Sequence, residues 1–133
     1  MFVALLLLGC EQKHFSHVYD KQEIGSNIKT ISIISQDTNN STLYKTALEE
    51  KGFHLKKHSD YQLKTDSKHY PKKCNNPLAT AEQKSYIGFV QLTLYKENKK
   101  IYMCQSDFRK TREIEDIIKG LVQIMIKEMD IIK

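Results

Sequence analysis

The chain has 133 residues, with 21 Lys and Arg against 16 Asp and Glu for a formal charge of +5, 40% apolar residues and 28% charged ones. These proportions exclude a disordered chain and a polytopic membrane protein, and the length suits one domain built on one core. Nineteen Lys against two Arg, with many Ile and Asn, reads as the codon bias of an AT-rich genome rather than as function.

The first ten residues, Met1-Phe-Val-Ala-Leu-Leu-Leu-Leu-Gly-Cys10, read as the end of a bacterial lipoprotein signal peptide closing on the lipobox Leu7-Leu8-Gly9-Cys10. The lipidating and cleaving enzymes need a short apolar segment, a small residue before the cut and a thiol to carry the lipid. Gly9 and Cys10 supply the last two. Seven apolar residues, Phe2 to Leu8, are too few to span a bilayer, which takes roughly 20 helical residues. No Lys or Arg precedes them, whereas a secretory signal opens with a positive stretch, so the true start is expected upstream of Met1. Residues 1–9 are thus expected to be cut away, leaving a lipidated, palmitate-bearing Cys10 as the membrane anchor. Two or three acyl chains suffice for stable anchoring.

Residues 10–27 are mostly polar without a period and read as a tether. Residues 28–133 read as a single α+β domain. Ile28-Lys-Thr-Ile31-Ser-Ile33-Ile34-Ser35 is rich in β-branched residues and runs into the turn cluster Gln36-Asp37-Thr38-Asn39-Asn40. Asn40 or Ser41 caps a helix whose Leu43, Tyr44, Ala47 and Leu48 share a stripe, and Gly52 ends it. The next strand is expected at Phe53-His-Leu55-Lys, resuming at Tyr61-Gln-Leu63, parallel to the first through a right-handed crossover.

The segment from His54 to Lys73 is locally basic, with Lys56, Lys57, Lys64, Lys68, Lys72 and Lys73 against Asp60 and Asp66. It is a candidate surface for anionic lipid or lipopolysaccharide phosphates, recognised through charge. A solvated lysine face accounts for the same residues. Nucleic acid is not an expected partner, because an exported chain does not meet it and the aromatic-basic interleaving of single-strand binders is missing.

Residues 65–84 hold both prolines and read as a long loop. Once Cys10 is lipidated, Cys74 and Cys104 are an even pair in an oxidising compartment, where a disulfide is expected. Such a bridge closes a loop of about 30 residues worth roughly 3 to 4 kcal/mol. Two free thiols, or a metal site shared with His69, are the alternatives. Ser85 to Phe108 reads as a hairpin with Glu97-Asn98 at its turn, which pairs Leu94 with Ile101 and Leu92 with Met103. That register puts Gln91, Thr93, Tyr95, Lys100, Tyr102 and Cys104 on the opposite, polar face. A closing helix from Thr111 presents Ile114, Ile117, Ile118, Leu121, Val122, Met125 and Met129 at 3, 4 spacing. The order β-α-β-β-β-α gives a two-layer sandwich, a four-stranded mixed sheet with two helices on one face.

No catalytic constellation emerges. There is no GxSxG elbow, and none of Gly9, Gly25, Gly52, Gly88 and Gly120 lies near enough to another to cradle a phosphate. His14-x-x-His17 and His54-x-x-x-His58 read as surface histidines. Asp107 and Arg109 read as a structural ion pair. No metal and no cofactor is expected.

A tether from the lipid cysteine, the strand Ile28-Lys-Thr-Ile31-Ser-Ile33-Ile34, a helix ending before Gly52, a late meander through Phe89-Val-Gln-Leu-Thr-Leu94 and a closing amphipathic helix resemble the lipopolysaccharide-assembly lipoprotein family. The resemblance is topological and spans residues 28–130. It implies an outer-membrane protein facing the periplasm that works in a barrel-associated assembly, and of residue roles it carries over only the lipidated Cys10. Glu11, rather than Asp, after the cysteine suits outer-membrane sorting. The expectation is a non-enzymatic accessory or assembly factor with an envelope protein partner. Lipopolysaccharide binding and small-ligand carriage are the alternatives.

Overall fold

β-branched, aromatic and other apolar positions set the four longest strands, and two apolar stripes set the helices. A computed structural model describes residues 14–20, 28–35, 40–70, 77–78 and 86–129. In chain order these form β1 (His14–Val18), β2 (Thr30–Ser35), α1 (Ser41–Glu50), β3 (His54–Leu55), β4 (Tyr61–His69), β5 (Gly88–Lys96), β6 (Lys99–Phe108), a 3-10 turn at Thr111–Glu113 and α2 (Ile114–Met129). One mixed sheet takes the order β1-β6-β5-β4-β2-β3. β2 is parallel to β3 and β4, and the remaining pairs are antiparallel.

The α+β class with two helices and a mixed sheet holds among the described residues, but the sheet has six strands rather than four. Two segments make the difference. The stretch expected to be one interrupted strand is two, because the chain leaves β3 after Leu55 and returns on the other side of β2 as β4. The second is His14–Val18, which lies in the expected tether yet pairs with β6 from His14↔Ser106 to Val18↔Tyr102. An edge strand bonded through its backbone needs no apolar alternation of its own, so its sequence looks like a polar linker.

α1 begins at Asn40, whose side chain does not cap the helix but donates from Nδ2 to Ser67 Oγ at 3.1 Å. Its end follows the sequence. Gly52 takes φ +96°, its N–H donates to Glu49 O at 3.0 Å, and Phe53 N–H donates to Leu48 O at 3.1 Å. This is a Schellman arrangement with the apolar Phe53 buried behind it. Gly88 has a different reason: a Cβ there would meet the Lys68 carbonyl oxygen and lie 2.5 Å from Phe108 Cζ.

The hairpin turns at Glu97-Asn98, both at positive φ (50° and 70°), and pairs Lys96 with Lys99. A bulge between Leu94 and Tyr95 then shifts the ladder, so that Leu94 faces Tyr102 and Leu92 faces Cys104. The expected pairing with Ile101 and Met103 is therefore off by one residue. Two residues oppose one at a bulge, and a slip of one reverses every side chain beyond it. Tyr102 and Cys104 consequently belong to the core and are 0% exposed, while Met103 is half-buried on the other face. Val90, Leu92 and Leu94 meet Ile118, Leu121 and Met125 of α2 and Tyr44 and Leu48 of α1 in one apolar cluster.

Candidate functional site

The four described lysines of the basic segment, Lys56, Lys57, Lys64 and Lys68, do not gather into one patch. Leu63 and Thr65 of β4 are fully buried toward the helices, so Lys64 and Lys68 project from the opposite face. Lys68 is exposed and sits 3.6 Å from Asp66. Lys56 and Lys57 follow β3 and, with Lys45 and Glu49 of α1, rim an open depression of about 360 Å³ floored by Ile33 and Leu55. Lys72 and Lys73 lie outside the described residues, as do Cys10 and Cys74.

Cys104 is a free thiol here, buried under α2 with Sγ 3.9 Å from Leu121 O. The expected bridge to Cys74 is thus not present at Cys104, and the thiol is not on the polar face where the unshifted register puts it. Burial pushes the Cys104 thiol up from 9.0 to about 12. A group this insulated is a poor nucleophile and a poor metal ligand, since both roles belong to the thiolate. Its neighbour Tyr102 is raised as well, chiefly by burial and then by the charges of Cys104 and Glu128.

The bulge also creates a link that the unshifted register hides. Tyr102 donates its hydroxyl to Glu128 Oε1 at 2.6 Å, and Ser16 donates to Glu128 Oε2 at 2.9 Å. One carboxylate near the end of α2 therefore holds both β6 and β1. A Glu aligned with Tyr102 and Ser16 carries no signal in sequence until the bulge is known.

The remaining candidates disperse. Asp107 does not pair with Arg109: it is buried and accepts from Tyr70 at 2.6 Å, while Arg109 pairs with Glu113 at 3.8 Å. A strand reverses side chains between neighbours, so Asp107 points to the face opposite Phe108 before the chain turns away. His54 lies in β3 and His58 in the loop after it, both exposed. Among the described residues, no group of three or more His, Cys, Asp or Glu is placed to hold a metal. Among them, too, no helix is long and apolar enough to cross a membrane. Among the described residues, one apolar cluster lies between the sheet and the helices.

No protein-family model matches this chain, and no curated protein does. Among solved structures, a minor lipoprotein from Acinetobacter baumannii is similar at a TM-score of 0.38 and 15% identity, over 77% of this chain and 91% of that one.

Proposed function

We propose that the chain is a lipid-anchored envelope lipoprotein, held on the periplasmic side of an outer membrane, that acts as a non-enzymatic accessory or assembly factor for another envelope component. The observation that carries this reading is the apolar run ending in Leu7-Leu8-Gly9-Cys10. It draws support from the site chemistry. Asp107 is engaged by Tyr70, Cys104 is insulated and Glu128 is spent on two structural hydrogen bonds, so these three groups serve the scaffold.

The test is Cys10→Ala expressed in a diderm host. The parent protein should incorporate labelled palmitate and pellet with membranes, and the variant should do neither. Palmitate incorporation unchanged by the substitution refutes the anchor. Crosslinking from envelopes, parent against Cys10→Ala, then reports the partner: an envelope protein captured only by the anchored form supports the accessory role, and turnover of a small substrate by the purified domain overturns it.

A further inference from the structure

The register of β1 decides how the domain stands on its membrane, given the lipid anchor proposed above, on which this inference rests. β1 is bound to β6 along five residue pairs, Tyr19 N–H donates to Ile101 O at 2.9 Å, and Ser16 is held by Glu128. His14 is therefore a fixed point of the sheet, and Cys10 stands four residues before it. At about 3.6 Å per residue at most, the lipidated residue lies within roughly 14 Å of His14 whatever the path between them. β6 has ten residues and is about 33 Å long. The reach is less than half the length of the sheet, so the ends of the sheet are not equivalent.

The antiparallel ladders bring to the His14 end the last residue of β6, Phe108, the first of β5, Gly88, and the last of β4, His69. Directly after Phe108 come Arg109, Lys110 and Arg112, all exposed. The nearby carboxylates are largely engaged. Glu113 Oε1 accepts the N–H groups of Arg109 and Lys110 at 3.0 and 2.9 Å, and Glu115 pairs with Lys119 at 3.3 Å. Among the described residues at this end, Asp116 is the exposed carboxylate in no ion pair. Lys110 and Arg112 are in no ion pair among the described residues. At the hairpin end Lys99 is paired with Asp20, and Lys96 and Lys100 lie over the rings of Tyr61 and Tyr19 at 5.5 and 5.4 Å, while Lys29 before β2 is exposed and in no ion pair among the described residues.

We infer that the domain rests on the bilayer through the Phe108–Arg112 end of its sheet, with Lys110 and Arg112 against the phosphates of anionic lipid headgroups, and holds the Glu97-Asn98 hairpin tip away from the membrane. Cations are attracted to such a surface within a Debye length, roughly 8 Å at physiological salt, and a reach of at most about 14 Å from His14 lets this end of the sheet come that close.

The test uses the lipidated full-length protein in nanodiscs of phosphatidylcholine, with or without phosphatidylglycerol, carrying a nitroxide on a fraction of the headgroups. Amide signals of residues 109–112 and 87–88 should broaden strongly and those of 97–98 should not, with a larger effect when phosphatidylglycerol is present. The variant Lys110→Gln/Arg112→Gln should lose the phosphatidylglycerol increment while its amide spectrum elsewhere overlays the parent's, which reports that it is folded. Uniform broadening, or broadening centred on the hairpin tip, overturns the orientation. An increment that survives in the double variant overturns the role of the two cations. Palmitate labelling separates the two failures: labelled protein with uniform broadening sinks the orientation alone, and unlabelled protein sinks the anchor and the orientation with it.

Discussion

Cys104 offers a sharp test of the core, because its burial fixes both a reactivity and a pH dependence. The thiol is held neutral by desolvation, from 9.0 up to about 12. A group whose folded value is raised contributes stability that is fully present below its unfolded value and is lost as pH rises through its folded value. The window here runs from pH 9 to about 12, and the difference corresponds to roughly 4 kcal/mol at about 1.36 kcal/mol per pH unit. Tyr102 is raised in the same direction and adds to the loss in its upper part.

Urea unfolding at a series of pH values from 8 to 11.5 should show the parent protein losing stability steeply above pH 9. Cys104→Ala should start somewhat less stable at pH 8, from the lost sulfur packing, and fall less steeply. Iodoacetamide at pH 8 should modify Cys104 only once urea has unfolded the domain. A variant as pH-sensitive as the parent refutes the burial argument. Rapid modification in the folded protein does so too, and so does a Cys74–Cys104 bridge found by mass spectrometry in folded protein from envelopes, since the sulfur must leave its place beside Leu121 to form one.

Leu121→Ala, at a side chain 1% exposed between α2 and the sheet, should cost about 2 to 5 kcal/mol in denaturant unfolding, and a cost under 1 kcal/mol would show that the helix is not seated there. Gly88→Ala forces its Cβ against the Lys68 carbonyl and the Phe108 ring, and should destabilise by about 1 to 3 kcal/mol with weakened amide protection at the β4–β5 and β5–β6 pairings beside it. Tyr102→Phe removes a hydrogen bond to a charged carboxylate that is itself partly in water, so about 1 to 2 kcal/mol is expected. Hydrogen exchange in that variant should show faster exchange through β1 if Glu128 is the clamp, and unchanged β1 exchange would dismiss it.

Much of this fold was legible in the sequence, and what was not had local causes. The stripe of α2, the Gly52 terminus of α1 and the parallel pairing around β2 follow from apolar spacing, a C′ glycine and crossover handedness, and the structure has all three. The hairpin turn was legible as well, at Glu97-Asn98. The bulge beside Leu94 was not, because one inserted residue depends on packing under α2 rather than on any turn signal, and it moved Tyr102 and Cys104 from the wet face to the core. From that slip came the misplacement of Cys104 and the missed link from Tyr102 to Glu128. The basic segment failed for another reason: density along a chain is not density in space, and a strand that passes to the far side of β2 parts Lys56 and Lys57 from Lys64 and Lys68.

β1 changes the functional argument most. A flexible tether from Cys10 to residue 28 would let the domain face in any direction and would make its surface charges incidental to the membrane. With β1 zipped to β6 from His14 and clamped through Ser16 to Glu128, Cys10 stands only four residues before the sheet. On the proposed lipid anchor, the hydrogen bonds that complete the sheet would also set the height and tilt of the domain. In the proposed orientation, surfaces remote from the Arg109–Arg112 end, the depression beside Lys45, Lys56 and Lys57 included, would sort by the side they occupy: those turned from the bilayer would be open to a protein, and those turned toward it only to lipid.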